Sequence, residues 1–373
     1  MPDTLTMKDR MAMERVHMPE LDAQTRSSNF EEVNRGLNLA QAVREAKRCI
    51  RCKTRPCVDG CPVGVSIPEF IDALAKEELS EAARILQVDN ALPAVCGRVC
   101  PQESQCEAKC VRGVKGEAVA IGYLERFVAD WAMANTNQLT AVKPPSSTGK
   151  SVAVVGCGPA GLTAAGELAR QGHGVTIFEA LHDTGGVLRY GIPEFRLPKQ
   201  IIDVEVERLL DLGVRIECNV IIGKTLTLEQ LRSQFDAVFI ANGAGLPVML
   251  NLPGENLKGV YSANEYLTRV NLMEAGRNPD APTPIIKGAS VAVIGGGNTA
   301  MDCVRTARSS RRKGDDHLPQ KRGGDACAGR GNPPCQRGGG GVRHADRTAG
   351  DNRQRRWLGC GTALRKNGTW SSR

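Results

Sequence analysis

Long hydrophobic runs are missing from this chain of 373 residues, and no uninterrupted apolar stretch approaches the roughly 18 residues that a membrane-spanning helix needs. The N-terminus also lacks the apolar core of a secretory signal, because Met1 is followed by charged residues at positions 3, 8, 9 and 10. Both absences argue against membrane proteins and secreted disulfide scaffolds. We therefore expect a cytoplasmic protein without a membrane partner.

Aliphatic side chains are nearly absent from residues 309–373, which contain thirteen glycines, four aliphatic residues and no Ile, Phe, Tyr or Met. A segment of this composition cannot bury a core. It carries a net charge of +10, whereas residues 1–308 carry −2, so the overall charge of +8 belongs wholly to this segment. We predict that residues 309–373 form a disordered tail.

The basic tail could also be interpreted as a nucleic-acid-binding arm, because Arg-Gly-Gly occurs at 322–324 and 337–339. Arms of that kind repeat more regularly and interleave aromatic residues with arginine. This segment has only Trp357 and Trp370. We predict no nucleic-acid partner.

Cysteine, in contrast, is abundant, and eight of the fourteen cysteines fall in two short arrays. The arrays are Cys49-x2-Cys52-x4-Cys57-x3-Cys61-Pro62 and Cys96-x3-Cys100-Pro101-x4-Cys106-x3-Cys110. Thiolates spaced this closely on turns can converge on one iron–sulfur cluster, and a Cys followed by Pro commonly ligates a second, neighbouring cluster. The spacing therefore favours two [4Fe-4S] clusters.

Structural zinc and disulfides are the alternative interpretations of the arrays. Zinc would require two closed sites of four ligands, and the x3, x4 and Cys-Pro spacings differ from those of zinc ribbons. Disulfides require an oxidising compartment, for which the sequence shows no export signal. Outside the arrays, Cys157, Cys218 and Cys303 lie in apolar elements, and we expect them to contribute to packing.

Helical periodicity surrounds the cysteine arrays. Apolar residues recur at helical spacing in 39–50, 67–75, 80–86 and 118–128. A Pro-Pro-Ser-Ser run at 144–147 has the composition of a linker. We predict an N-terminal arm over 1–35, a helical cluster domain over 36–137 and a linker over 138–150.

A β-α-β pattern begins after the linker. Its parts are an apolar strand over 151–155, the turn Gly156-x-Gly158-x-x-Gly161, a helix through Arg170 and a strand over 175–178 that ends at Glu179. Glycines in such a turn let the backbone approach a pyrophosphate, and the helix start at Ala160 offers free N–H groups. Because Glu179 is placed to bind ribose hydroxyls, we predict a Rossmann-like dinucleotide-binding domain over 151–288.

The same pattern recurs later in the chain. Its parts are an apolar strand over 289–294, the turn Gly295-Gly296-Gly297-Asn298-Thr299-Ala300 and a helix over 301–308. Ala300 stands where the third glycine would be, and a plain turn between strand and helix is the alternative interpretation. Two such units suggest two cofactors, so we predict that 289–308 begins a second dinucleotide-binding domain.

Six segments together resemble the small-chain family of NADPH-dependent glutamate synthase, along with related domains of dihydropyrimidine dehydrogenase and of the larger subunit of electron-bifurcating ferredoxin:NADP transhydrogenase. The segments are 49–62, 93–102 (PAVCGRVCPQ), 120–127 (AIGYLERF), 155–161 (VGCGPAG), 185–193 (GGVLRYGIP) and 295–302 (GGGNTAMD). The resemblance covers nearly all of residues 30–308. It implies an α+β multidomain fold, in which a helical double [4Fe-4S] domain precedes a Rossmann-like FAD domain and the start of a nested NADPH domain.

The resemblance also implies where the cofactors would bind. One cluster would take Cys49, Cys52, Cys57 and Cys110, and the other Cys61, Cys100, Cys106 and Glu125. The resemblance leaves Cys96 without a cluster to bind. Spacing alone would instead choose Cys96 over Glu125 as the last ligand. FAD would contact Gly156, Gly158, Pro159, Ala160, Gly161, Glu179, Gly186, Arg189, Ala241 and Gly243. NADPH would contact Gly295, Gly296, Gly297, Asn298, Thr299 and Ala300.

The resemblance implies that the chain is the reductase part of glutamate synthase. It would pass electrons from NADPH through FAD to the clusters and then to the large subunit. The large subunit would make glutamate from 2-oxoglutarate and glutamine-derived ammonia. Hydride transfer to a flavin requires no acid–base residue of the protein. The larger subunit of the bifurcating transhydrogenase, which would deliver electrons to another flavin or ferredoxin acceptor, is the alternative. Nothing in residues 1–308 separates the two.

The resemblance fails after Arg308, where a family member would complete the NADPH domain and then close the FAD domain. We interpret the change as a one-nucleotide shift of the reading frame. Moving the frame by one base allows 323–342 to encode VEMPARAEEIHHAKEEGVEF, which resembles the family, and 318–320 to encode Tyr-Arg-Arg, where the family recognises the 2′-phosphate of NADPH. A third interpretation follows, in which the chain as written is a non-catalytic cluster-binding fragment.

Overall fold

The structure is a computed structural model that describes residues 5–139, 146–276, 278, 280–285, 290–310, 343–344 and 362–365. The chain divides into two compact units. The first comprises 1–20, 34–185 and 196–242, and the second comprises 21–33, 186–195 and 243–373. The boundaries predicted from the sequence follow changes of composition and remain predictions.

The helices and strands have the following bounds. The helices are α1 (Met7–Ala12), α2 (Ala23–Arg26), α3 (Leu39–Ala46), α4 (Pro56–Asp59), α5 (Ile67–Ala75), α6 (Leu79–Asp89), α7 (Pro93–Val99), α8 (Ile121–Ala134), α9 (Pro159–Arg170), α10 (Val187–Tyr190), α11 (Lys199–Asp211), α12 (Leu228–Gln234), α13 (Ala263–Asn271) and α14 (Asn298–Ser309). Short 3-10 turns lie at Gln102–Ser104, Val111–Val114 and Thr136–Gln138. The strands are β1 (Ser151–Val155), β2 (Gly174–Phe178), β3 (Arg215–Glu217), β4 (Ala237–Ile240), β5 (Val260–Ser262), β6 (Val291–Ile294), β7 (Arg343–His344) and β8 (Thr362–Arg365).

A helical module begins the first unit, with its core between α3, α5, α6 and α8. Helix α5 shows why these elements form: Pro68 stands in the first turn, where its missing N–H costs nothing, and Phe70, Ile71 and Leu74 recur at helical spacing and are buried. The helix expected over 67–75 is confirmed with the same bounds.

The N-terminal segment packs on this module, so part of the predicted arm belongs to the folded core. Helix α1 starts with a capping box between Thr6 and Asp9. Arg10, Val16 and Met18 are buried, the last two within the core of the helical module.

A four-stranded parallel sheet follows in the first unit, in the order β3-β2-β1-β4. Strand β1 pairs with β2 on one side and β4 on the other, and α9 forms the crossover from β1 to β2. Parallel sheets bind ligands beyond the carboxyl ends of their strands, at the place where the order of the strands along the sheet reverses. In this sheet that place lies beyond the carboxyl end of β1. The expected start of a Rossmann-like sheet is therefore present, and it places the Gly156 turn at that point.

The second unit contains a mixed sheet in the order β5-β8-β6-β7. Strand β8 lies antiparallel between β5 and β6, and β7 pairs with β6 in parallel. Strand β6, the Gly295 turn and α14 are present in this unit, whereas the nested NADPH domain that they are expected to begin remains a prediction.

The expectation that residues 309–373 are wholly disordered is wrong for a few positions. Ser309 and Ser310 are buried at the end of α14. Residues 343–344 and 362–365 form strands, because backbone hydrogen bonds to β5 and β6 do not depend on side-chain type. The rest of this segment lies outside the described residues.

Within the described part of the chain, no helix has both the length and the apolar character needed to cross a bilayer.

Candidate metal centre and dinucleotide site

A first group of four thiols gathers around one cavity of the helical module. The group consists of Cys49, Cys52, Cys57 and Cys110, all of which line this cavity together with apolar side chains of α5 and α8. Cys49 follows α3, Cys57 lies in α4, and Cys110 immediately precedes the 3-10 turn at Val111–Val114. The fold thus brings the last cysteine of the second array to three cysteines of the first, as the resemblance implies.

These four thiols influence one another electrostatically. Burial raises the pKa of Cys57 to about 11, and the charges of Cys49 and Cys110 contribute in the same direction. Burial and the charge of Cys110 likewise raise the pKa of Cys52. Burial also raises the pKa of Cys49, with further contributions from Cys110 and Cys52. Because a metal binds the thiolate, ligation here must displace protons and replace them with positive charge.

The turn that carries Cys52 has an unusual backbone. Arg51 has φ 51° and Arg55 has φ 48°, a left-handed region that non-glycine residues seldom occupy. The two side chains pair with carboxylates on α5, Arg51 with Asp72 and Arg55 with Glu69. Two ion pairs therefore connect this turn to α5, whose residues line the cavity of the first group of thiols.

A second group contains the remaining predicted ligands and Cys96. Burial raises the pKa of Cys106 to about 12, and the negative charges of Glu107, Glu125 and Cys61 add to the rise. The side-chain hydrogen bond with Cys100 raises the pKa of Cys96, and burial adds to it. The charges of Cys61 and Glu125 thus act on Cys106, and Cys96 interacts with Cys100.

Glu125 is buried on α8, with 8% of its surface exposed. Asn90 Nδ2 donates to its Oε1 at 2.9 Å, while Asn90 Oδ1 accepts from Leu92 N at 2.9 Å and from Cys96 Sγ at 3.7 Å. Burial and the charge of Cys96 raise the pKa of Glu125. Glu125 and Cys96 are thus near each other, and the choice between them as fourth ligand remains a prediction. Sequence reasoning missed Asn90, which carries no motif.

The described side chains fit a cluster better than a single ion or a disulfide. Across the residues placed by the structure, no three His, Cys, Asp or Glu side chains stand close enough to share one metal ion. All eleven described cysteines are free of disulfides. Four partly exposed thiols on the wall of one cavity form the wider arrangement that a group of several iron and sulfur atoms requires.

The glycine turn after β1 shows what each glycine does. Gly156 has φ 104°, and a Cβ added to it would lie 2.4 Å from the carbonyl oxygen of Ala241. A Cβ on Gly161 would lie 1.9 Å from the carbonyl oxygen of Gly156. Both positions therefore require glycine for the fold itself. A Cβ on Gly158 would meet nothing within 4 Å, so open space for a ligand lies there, at the start of α9 with Pro159 and the exposed Ala160.

Glu179 braces this turn. Its Oε2 accepts from Cys157 N at 2.6 Å, and its Oε1 accepts from Leu181 N at 2.9 Å. Gly185 N donates to the carbonyl oxygen of Cys157 at 3.0 Å, so Gly185 also contacts the turn. The carboxylate that we expected to bind ribose therefore also fixes the backbone, and ribose binding remains a prediction.

The other predicted dinucleotide contacts fall in the second unit. Gly186 has φ 52° and precedes α10, on which Arg189 is buried, and Gly243 has φ 69°. In the second glycine turn, Gly295 has φ 128° and Gly297 is the N-cap of α14. Residues 296–299 are exposed, and Ala300 is buried. The second turn thus has the strand–turn–helix geometry that its sequence predicts.

Two of the three cysteines expected to contribute to packing are fully buried. Cys157 and Cys303 have no exposed surface. Cys218 is half-buried.

Comparison with known proteins assigns the two modules. Residues 26–137 match the family described as dihydropyrimidine dehydrogenase domain II, 4Fe-4S cluster, and residues 150–314 match the pyridine nucleotide-disulphide oxidoreductase family. The order of a cluster module and a dinucleotide module, expected from the sequence, is confirmed.

Individual proteins are similar to this chain over parts of their length. The chain is 36% identical over 310 residues to the glutamate synthase [NADPH] small chain of Escherichia coli K12, covering 82% of this chain and 64% of that protein. It is 38% identical over 271 residues to the NAD-dependent dihydropyrimidine dehydrogenase subunit PreT of Escherichia coli O157:H7, covering 72% and 62%. Mycobacterium tuberculosis FprA in complex with NADPH is 29% identical over 42% of this chain and 36% of that chain, with a TM-score of 0.37. The chain spans less than two thirds of the length of these proteins.

Proposed function

Because the chain is a relative of the NADPH-dependent glutamate synthase small chains, we propose that it is the electron-entry part of an iron–sulfur flavoprotein oxidoreductase, built to pass electrons from NADPH through FAD to two [4Fe-4S] clusters. The observation that carries the proposal is the convergence of Cys49, Cys52, Cys57 and Cys110 on one cavity, in a module directly followed by a parallel sheet with a glycine turn.

The first group of thiols would hold one cluster, and Cys61, Cys100, Cys106 and Glu125 would hold the other. Apolar side chains of α5 and α8 line part of the first site. Burial disfavours extra negative charge, so the module as well as the ligands would set the reduction potentials.

The glycine turn would hold the FAD pyrophosphate at the start of α9, with Gly158 leaving room for its approach. Glu179 keeps the turn in place and would reach the ribose with its remaining acceptor capacity. When bound, FAD accepts a hydride from a nicotinamide and the clusters transfer single electrons. The chain orients these cofactors and gives them a dry environment.

The physiological partner would be the large subunit of a glutamate synthase. One of the relatives is a subunit of an NAD-dependent dihydropyrimidine dehydrogenase. Similar chains therefore occur with other partner subunits and with NAD as the nicotinamide cofactor. The larger subunit of a bifurcating transhydrogenase is the second candidate, by the resemblance noted above. Purification from its native source would separate the candidates by the identity of the associated subunit.

We infer that the chain as written lacks part of its flavin domain. The oxidoreductase match ends at residue 314, just after Arg308, where the reading frame is proposed to shift. Strands of parallel sheets are normally covered on both faces. Strand β4 ends the sheet among the described residues, yet Phe239 is 44% and Ile240 is 61% exposed. Such exposure is expected where a covering segment is missing.

Anaerobic reconstitution with iron and sulfide tests this proposal. We expect about eight iron atoms and eight acid-labile sulfides per chain, weak FAD binding and no NADPH-dependent dye reduction. A gene with the frame restored at codon 308 should gain tight FAD binding and dye reduction while its iron content stays the same. Colourless protein without stoichiometric iron would refute the cluster assignment. Normal dye reduction by the chain as written would refute the inferred truncation.

The fourth ligand of the second cluster is testable by two substitutions. Because Glu125→Ala removes the predicted carboxylate ligand, it should lose about half of the iron and the spectroscopic signal of one cluster. Cys96→Ser, a change in the side chain next to it, should keep both signals. Paramagnetic resonance of the reduced protein measures each cluster separately. The opposite pattern, with iron lost only from the Cys96 variant, would make Cys96 the ligand.

A further inference from the structure

The N-terminal helix α1 brings a buried positive charge to the first group of thiols. Arg10 is 5% exposed, and its Nη1 donates to the carbonyl oxygens of Lys47 at 2.7 Å and Cys49 at 2.9 Å. The guanidinium thus lies on the backbone of a predicted cluster ligand, although the two residues are far apart in sequence.

The segment that carries Arg10 is anchored by a buried ion pair. Glu45 pairs with Arg48 at the end of α3. Glu45 Oε2 accepts from Val16 N at 2.8 Å, and its Oε1 accepts from Ala120 N at 2.8 Å, so one carboxylate ties the N-terminal segment to the start of α8. Arg48 Nε donates to the carbonyl oxygen of Met13 at 3.2 Å. The position of Arg10 is therefore fixed from both α3 and α8.

A second buried cation strengthens the same attachment. Arg112, two residues after Cys110, donates to the carbonyl oxygens of Met11 and Met13. Two of the four predicted ligands of the first cluster thus lie next to contacts with the N-terminal segment. This segment therefore contacts residues that line the first site.

We propose that Arg10 is a positioning residue of the first cluster, whose fixed positive charge stabilises the negative charge that the cluster gains on reduction. The inference rests on the proposed function, since it requires a cluster at Cys49, Cys52, Cys57 and Cys110. A buried charge is screened far less than an exposed one, so its field acts on the site even at high salt. Removing it should disfavour the reduced form.

Three variants test the role of this charge in the reconstituted full chain. Arg10→Gln removes the charge and keeps a donor, and Arg10→Lys keeps the charge. Arg44→Gln is the matched control, because Arg44 lies on the exposed face of α3, five residues before Cys49. Potentiometric titration followed by paramagnetic resonance gives the midpoint potential of each cluster, and iron analysis gives occupancy.

We expect Arg10→Gln to weaken the affinity of the first cluster for its electron about tenfold. The midpoint potential of that cluster should fall by about 59 mV, and the midpoint potential of the second cluster should stay unchanged. Arg10→Lys and Arg44→Gln should stay near the unmodified value. Loss of the first cluster in Arg10→Gln alone would also support a role for the charge.

Three results would overturn the proposal: an unchanged potential in Arg10→Gln, equal shifts in the Gln and Lys variants, or loss of the cluster from both. Absence of iron from the unmodified protein would instead refute the proposed function, so the two failures are distinguishable.

Discussion

Replacing Cys110 by serine is expected to remove about half of the bound iron and sulfide, although the other three thiols of the first group remain. Cys110 stands at the end of the second array, and the fold brings it to the cavity lined by Cys49, Cys52 and Cys57. A serine hydroxyl is a weaker ligand for iron than a thiolate, so the Cys110 variant leaves one iron of the first cluster without a strong protein ligand. Iron and sulfide analysis with paramagnetic resonance should show one signal remaining.

The control for this experiment is Cys218→Ser. Cys218 is half-buried in the dinucleotide module and lies outside both arrays. The Cys218→Ser variant should retain all of the iron. Full iron content in the Cys110 variant, or equal losses in both variants, would show that the cavity is not a cluster site organised around Cys110.

Substitution of two glycines of the dinucleotide turn should separate folding from ligand binding. Gly161→Ala places a methyl group 1.9 Å from the carbonyl oxygen of Gly156, and neither backbone can move without disturbing β1 and α9. Overpacking of this kind costs about 3 kcal/mol or more. We expect a large fall in the unfolding temperature of the dinucleotide module, measured by circular dichroism.

Gly158→Ala is the matched variant in the same turn. The position has φ −78°, which alanine adopts readily, and an added Cβ meets no protein atom within 4 Å. Stability should change by less than about 0.5 kcal/mol. The affinity for FAD, measured by quenching of flavin fluorescence, should fall about tenfold because the methyl group occupies the space of the pyrophosphate. Unchanged affinity would mean that the open space is not the flavin site.

Local elements could be predicted well from the sequence wherever one pattern dominates. The strand over 151–155 is confirmed with the same bounds, and the helix after it ends at Arg170 as expected but begins at Pro159, one residue before the expected start, because an apolar run and a glycine turn admit few other structures. Helices α7, α11 and α13 were not predicted. Helix α7 is short and begins at Pro93, and its buried face includes small residues such as Ala94 and Gly97, so its periodicity is weak.

The candidate sites were predictable in part. Eight cysteines in two arrays indicate clusters on chemistry alone, and the resemblance supplied the pairing of Cys110 with the first array. The contribution of Asn90, which links Glu125 with Cys96, had no signal in the sequence. The second role of Glu179, bracing the turn through Cys157 N, was equally hidden, since a hydrogen bond to a backbone amide leaves no mark on residue type.

The sequence by itself determined the ligand types, the glycine positions and the order of the two modules, because cysteine spacing and strand–turn–helix patterns are local properties of a chain. Only the tertiary structure decided which distant groups share an environment. The carbonyl oxygen of Cys49 accepts from Arg10, and Asn90 links Glu125 with Cys96. The physical reason is that burial selects these neighbours through the packing of whole helices, and helix packing brings together residues from separate stretches of sequence.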